Sequence, residues 1–290
     1  MKNQVRVAVT GGNGFIGTEL LRELINNNVE TVSLQRTNIN KIAVDIHQFD
    51  LSNLTHDNMS ILSNIDVIVH TAALVHKGQL NEKQYLDLNF ESTKLLFEKC
   101  KKFDVSKFIF LSTMSVYGLT SSTSKINIKS LVNPITNYGK SKLLSEQYLL
   151  SQKSSIKVSI IRLPTVYGNN APGNFGDLER LALKRIPLPF LKVKNKRSMI
   201  DVEVVAKVLA KISICREDYL GLHLLCEEIP FSTEFILKKI RKDNGISLRL
   251  FFFPKFLIKF FFKLLGKQKV YERLYGDLVF ASTIKLPHKN

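Results

Sequence analysis

The sequence predicts an α/β protein: a doubly wound parallel sheet with a smaller C-terminal domain. Three observations predict it. Short β-branched runs alternate with longer amphipathic stretches through the first half of the chain, the pattern of a sheet covered by helices on both faces. A glycine-rich turn separates the first strand-like run from the first helix-like one. Beyond Tyr167 the alternation gives way to glycine, asparagine and proline, and then to a phenylalanine-rich tail, a shift expected at a domain boundary.

The elements follow in order. Residues 5–9 read as a buried strand, 15–26 as a helix and 31–34 as a second strand. Residues 66–70 and 108–111 read as two further strands, with 81–102 helical between them, and 158–161 as another. Residues 138–150 form a helix, 167–189 a loop-rich excursion, 202–213 a helix, and the tail from Phe231 is helical. The first domain is placed at 1–165, with contributions from about 198–228, and the smaller one at 166–290.

With 290 residues, 44% hydrophobic and 23% charged, the chain can bury a large core and is not a disordered one. Its net charge of +17 and pI near 9.7 leave a plain solvated basic surface, an anionic membrane surface or an anionic small substrate open. Nucleic acid is not expected, because no long basic arm and no recognisable binding module is present. Cys100, Cys215 and Cys226 form no CxxC pair and no cluster with zinc spacing, so reduced thiols and no metal site are expected. No signal-peptide pattern and no uncharged apolar run of membrane-spanning length is visible, which points to a cytoplasmic location.

The strongest local signal is Thr10-Gly11-Gly12-Asn13-Gly14-Phe15-Ile16-Gly17. It follows a strand and opens a helix. Glycines there allow a tight turn and let backbone N–H groups approach a pyrophosphate, while the helix N-terminus faces the negative charge. Gly11, Gly14, Phe15, Ile16 and Gly17 are therefore candidate dinucleotide contacts. The second strand ends in Gln35 and Arg36 rather than in a carboxylate that would grip ribose hydroxyls. Arg36 can pair with a 2′-phosphate or can stack at the surface without selecting, so NAD or NADP stays open. Asp50 and Leu51 are placed to flank the adenine, or to begin a helix.

Tyr138 and Lys142 stand four residues apart, within about 40° of each other on a helix. A cation beside a phenol favours the phenolate, so the pair can move a proton near neutral pH. Upstream, a hydroxyl-rich segment holding Thr113 and Ser115 follows a strand directly, and open parallel sheets bind ligands at strand C-terminal ends.

The order of these motifs resembles the extended short-chain dehydrogenases/reductases, specifically the NAD-dependent epimerase/dehydratase family, over roughly residues 5 to 285. Thr10 to Gly17 resembles the family's T-G-x-x-G-x-x-G; His70-Thr71-Ala72-Ala73 its H-x-A-A; Thr113 to Gly118 its catalytic-hydroxyl segment; Tyr138 and Lys142 its Y-x-x-x-K. Arg162 to Gly168 resembles R-x-x-x-V-Y-G, which lies beside the nicotinamide. The resemblance implies that Thr113, Tyr138 and Lys142 are catalytic. It implies that Thr71, Ala72, Ala73, Pro164 and Val166 line the cofactor, and that Ser115, Asn174 and Arg197 meet a nucleotide diphosphate sugar. Two departures stand out. Met114-Ser115 replaces the acidic pair of the dehydratases, so a 4,6-dehydratase is not expected. The family's Leu-Gly-Trp tail is also absent, since the chain has no Trp and runs to Asn290.

The implied reaction is epimerisation at C4 of a UDP-hexose or UDP-N-acetylhexosamine. An NADPH-dependent 4-ketoreductase, to which Gln35-Arg36 leans, and a non-catalytic NAD(P)-binding regulator are the alternatives. The resemblance also implies a homodimer through helices near 81–102 and 138–150, and a role in surface polysaccharide synthesis. From Phe251 to Leu265 the tail is nearly all apolar, with Lys255, Lys259 and Lys263 in a stripe. It reads as a helix packed on the small domain with its lysines in water, or as a weak peripheral membrane contact.

Overall fold

The computed structural model describes residues 4–37, 42, 44–51, 57–75, 80–215 and 219–286. The outer limits expected for the two domains, Met1 and Asn290, lie outside the described residues. The first half alternates strand and helix as expected: β1 (Arg6–Thr10), α1 (Phe15–Asn26), β2 (Glu30–Gln35), β3 (Asp45–Gln48), a 3-10 turn (Asp57–Asn64) and β4 (Val67–His70). A continuous helical run follows: α2 (Glu82–Tyr85), a π-helical segment (Leu86–Glu91) and α3 (Ser92–Lys102). Then come β5 (Lys107–Thr113), a 3-10 turn (Met114–Tyr117), α4 (Asn137–Ser151), β6 (Lys157–Leu163) and β7 (Thr165–Tyr167). The remainder holds α5 (Gly173–Leu183), β8 (Met199–Asp201), α6 (Val202–Ile214), β9 (Gly221–Leu224), α7 (Thr233–Asp243), α8 (Lys255–Leu264) and α9 (Gln268–Tyr275).

Among the described residues, seven strands form one sheet in the order β3-β2-β1-β4-β5-β6-β9, every pair parallel. The chain winds outward from β1 to β3, then restarts on β1's other side at β4, so the sheet is doubly wound about β1 and β4. Two apolar layers cover it. One contains Val7, Val9, Leu20, Leu24 and Leu209; the other contains Ala8, Ile68, Leu96, Phe97 and Phe108. Alternate residues of β1 feed opposite layers, as the two-residue strand period requires.

A second core lies outside the sheet, built from Phe175, Leu188, Phe190, Ile236, Leu237, Ile258 and Tyr275. Its segments leave the sheet after β6 and after β9. Arg241, fully buried, ties it together by donating to the carbonyls of Ala182, Lys184, Ile186 and Arg249.

The structure corrects several local expectations. The excursion at 167–189 contains α5. Gly176 serves close packing inside the helix rather than a loop: a Cβ there would sit 2.5 Å from the carbonyl oxygen of Ala171. The helix expected over 81–102 widens into a π-turn at its middle, for a reason given below. β3 was not expected, because its alternation is only four residues long. The helical tail is three helices, interrupted at Gly245, Pro254 and Gly266, with residues 276–286 non-helical. α8 does pack on the small core and its lysines are exposed, but so are most of its phenylalanines.

Candidate active site

Because all seven strands are parallel, their C-terminal ends share one edge, and the expected residues gather along it. Gly11 to Gly17 follow β1; Gln35 closes β2 and Arg36 follows it; Asp50 and Leu51 follow β3. Thr71, Ala72 and Ala73 follow β4; Thr113 closes β5 with Ser115 beyond it; Pro164 and Val166 follow β6. The crevice opens between β1 and β4, where the winding reverses.

Glycine is required in this crevice by contact, not by habit. Gly11 has φ of 70°, and a Cβ there would lie 2.9 Å from Cα of Ala72. A Cβ on Gly17 would lie 2.2 Å from the carbonyl oxygen of Gly11. Backbone therefore lines the cradle, and Gly14, the residue that caps α1, offers no side-chain hydrogen bond, leaving first-turn N–H groups for a ligand. These features fit a dinucleotide pyrophosphate. At the end of β2, Gln35 is buried and its amide oxygen accepts from the Ser33 hydroxyl at 3.1 Å, whereas Arg36 is exposed. Asp50 and Leu51 are half-buried, Leu51 against the sheet's second apolar layer.

The loop after β4 is fixed by a buried polar chain. The Thr93 hydroxyl donates to Asn89 O at 2.5 Å, so it accepts from His70 Nε2 at 2.9 Å. His70 Nδ1 then accepts from the Thr10 hydroxyl at 2.7 Å. Burial, with the Lys142 cation nearby, pushes His70 down to about 3 and keeps it neutral. Thr71 donates to Thr10 O at 2.7 Å. Asn89 sits inside the π-turn. It accepts from Leu74 N at 2.7 Å and donates to Leu74 O at 3.0 Å and to Ser141 Oγ at 3.1 Å. One extra residue in the turn thus staples the cofactor-side loop to α4. Sequence reasoning missed Asn89; the available signal was polar Asn89, Ser92 and Thr93 at helical spacing on the inward face.

α4 brings Tyr138 and Lys142 to the crevice. Thr136 caps it by accepting from Gly139 N at 3.0 Å. Gly139 lets its first turn press on the hydroxyl segment, since a Cβ there would meet Ser115 O at 2.9 Å. Tyr138 lies beside the Thr113 side chain. The Thr113 hydroxyl donates to Ser115 Oγ at 3.1 Å. The Lys142 ammonium lies 4.1 Å from the centre of the Phe110 ring, and no described residue hydrogen-bonds it. The side chain is 2% exposed. Burial pushes it down to about 7, against an upward pull from the Glu146 carboxylate. The expectation that Lys142 lowers Tyr138 meets a correction: in the free chain burial raises the phenol, and the neighbouring Thr113 hydroxyl opposes this only in part.

One turn further along α4, Glu146 is held by Arg162 in a forked pair, with Nε at 3.0 Å and Nη2 at 2.6 Å. Ser112 also donates to this carboxylate. Arg162 Nη1 donates to the Tyr117 hydroxyl at 2.8 Å, which donates to Asn127 O at 3.1 Å. Burial alone would lower Arg162, but the bonds to Glu146 hold it above its ordinary value.

The remaining expected residues lie on the second core. Asn174 is exposed in the first turn of α5. Arg197 Nη1 donates to the carbonyls of Thr120, Glu272 and Gly276 at 3.2, 3.4 and 3.1 Å. Burial, and then the nearby Arg273 guanidinium, push Arg197 down to about 10. Arg273 is a second cation that sequence reasoning missed, because 76 positions separate it from Arg197. No cluster of potential metal ligands occurs among the described residues.

Residues 7–212 match the model of the NAD dependent epimerase/dehydratase family. The chain belongs to this family. It is accordingly an NAD(P)-dependent enzyme of the extended short-chain dehydrogenase/reductase type. It is 29% identical over 281 residues to a UDP-glucose 4-epimerase of Vibrio cholerae, covering 94% of this chain and 86% of that protein. Among solved structures, MoeE5 in complex with UDP-glucose and NAD superposes with a TM-score of 0.74 at 22% identity, covering 97% of this chain and 90% of that one. The UDP-Glc/GlcNAc 4-epimerase of Campylobacter jejuni gives 0.73 at 21%, covering 96% and 91%. These two likenesses establish the shared fold.

Proposed function

We propose that the chain is a 4-epimerase of a UDP-hexose or UDP-N-acetylhexosamine. The observation that carries this reading is the convergence of Thr113, Tyr138 and Lys142 on the crevice that the glycine cradle and the 71–73 loop enclose.

Gly11, Gly14, Phe15, Ile16 and Gly17 hold the pyrophosphate, and Thr71, Ala72 and Ala73 line the opposite wall. Asp50 and Leu51 flank the adenine, while Pro164 and Val166 border the nicotinamide. When bound, the dinucleotide would supply a reversible hydride acceptor at the sugar carbon. Tyr138 accepts the proton of the sugar's 4-hydroxyl and later gives it back. Thr113 orients that oxygen, with Ser115 beside it. Lys142 has no described hydrogen-bond partner because its ammonium is reserved for the cofactor ribose, from where it also favours the phenolate. In this reading Asn174, Arg197 and Arg273 face the diphosphate; the Arg273 guanidinium, close enough to depress Arg197, makes a paired anion site with it. Leu88, Leu95 and Leu144, exposed on the outer helices, belong to a homodimer contact in this reading.

The test is to identify the copurifying dinucleotide and supply UDP-glucose or UDP-N-acetylglucosamine without added cofactor. Redox-neutral interconversion at C4 is expected; stoichiometric oxidation of NADPH by a 4-keto sugar would replace the epimerase with the ketoreductase. Arg36 favours that second reading, because it stands exposed where a 2′-phosphate would lie and no carboxylate ends β2. Arg36→Ala is then expected to weaken NADPH binding selectively. A purely regulatory dinucleotide binder would show no turnover in either assay.

A further inference from the structure

α8 is joined to the protein along one narrow side. Ile258 is its buried residue, and Phe262 packs beside it, 6.1 Å from the Tyr271 ring. At about 100° per residue, Phe256, Phe260 and Leu264 fall on the face opposite Ile258, with Phe261 further round. They are 71%, 60%, 73% and 51% exposed. Lys255, Lys259 and Lys263 form an exposed stripe between this face and the buried side. Phe251 and Phe252, just before Pro254, are also exposed. A contiguous apolar surface of this kind is uncommon on a solitary soluble protein and marks an interaction site.

Charge decides what covers it. From Asn244 to Tyr271 the sequence has no Asp or Glu, yet it carries Arg249, Lys255, Lys259, Lys263, Lys267 and Lys269. Two copies meeting through α8 would bring lysine stripes together with no carboxylate to pair them. An anionic lipid surface answers both features: acyl chains accept the phenylalanines, while lysine stems reach back to the headgroups. No described helix is long and apolar enough to cross a membrane.

We propose that α8, with the turn before it, docks this enzyme in-plane on an anionic lipid bilayer. None of the candidate catalytic or cofactor residues lies on α8, so the inference stands whatever the sugar substrate proves to be.

The full chain should co-float with vesicles of phosphatidylcholine and phosphatidylglycerol, and not with phosphatidylcholine alone. A Phe256→Ser/Phe260→Ser/Leu264→Ser variant should lose flotation with an unchanged thermal melt, since these side chains are already exposed. Lys255→Gln/Lys259→Gln/Lys263→Gln should lower the partition coefficient roughly a hundredfold. The chain has no Trp, so Phe260→Trp gives a single reporter whose emission should shift to the blue on the anionic vesicles. Failure of the full chain to float, or flotation of the serine variant equal to that of the parent, overturns the proposal. So does a dimer in sedimentation that the serine variant abolishes.

Discussion

Lys142 and Glu146 lie one turn apart on α4, both nearly sealed from solvent, and the protein treats their charges in opposite ways. Glu146 receives the fork of Arg162 and the Ser112 hydroxyl, and Arg162 in turn reaches Tyr117. Lys142 lies over the face of the Phe110 ring, and no described group hydrogen-bonds it. A charge with every partner supplied from within holds elements together: here α4, β5, β6 and the turn after β5. A charge left short of partners is held for something that arrives. The free chain bears its desolvation, which is why the lysine is pushed down to about 7.

The largest effect that sharpens this contrast is at the top of the helix. Tyr138→Phe should lower turnover by roughly 10³–10⁴-fold while dinucleotide binding, read by fluorescence, persists. Retained turnover would remove the phenol from the reaction. Next, Arg162→Met should cost about 3–5 kcal/mol in urea unfolding, because it strands the Glu146 carboxylate in the interior. Replacing both, as Glu146→Leu with Arg162→Met, should recover much of that loss; a double variant as weak as the single one would mean that the pair does more than satisfy itself.

Lys142→Met should lower turnover by roughly 10²-fold and yet raise the melting temperature of the free chain at pH 6. The sign follows from the lowered lysine. Between about 7 and its ordinary value of 10.5 the unfolded chain binds more protons than the folded one, so stability rises with pH across that window. The advantage of the methionine variant should therefore be full below pH 7 and fade as pH rises toward 10. The smallest effect is at Thr113→Val, which should cost about tenfold in turnover with little change in stability. A larger loss of stability there would assign Thr113 to the turn rather than to the sugar.

What was legible in the chain was whatever depends on neighbours in sequence. The Gly11–Gly17 turn, the strands at 5–9, 108–111 and 158–161, and the four-residue spacing of Tyr138 and Lys142 are local, and each appeared where expected. The illegible parts depend on distant pairings. Glu146 finds Arg162 across two elements, Arg197 finds Arg273 through the fold of the tail, and Asn89 becomes a staple only because a π-turn swings it toward Leu74. The direction of the Tyr138 shift was missed for the same reason: spacing gives the nearness of a cation, whereas burial arises only once the sheet, helix and loop have closed around the phenol. α5 was hidden by composition, since Gly173 and Gly176 look like a loop, and only the approach to Ala171 explains Gly176 within a helix.

The segments of the second core all depart from the edge where β6 and β9 end and return without passing through the sheet. Insertions and exchanges in those segments leave strand register untouched, because they lengthen connections rather than shift partners. Changes after Tyr167 and Leu224 therefore remodel the second core while β5 and α4 keep their places.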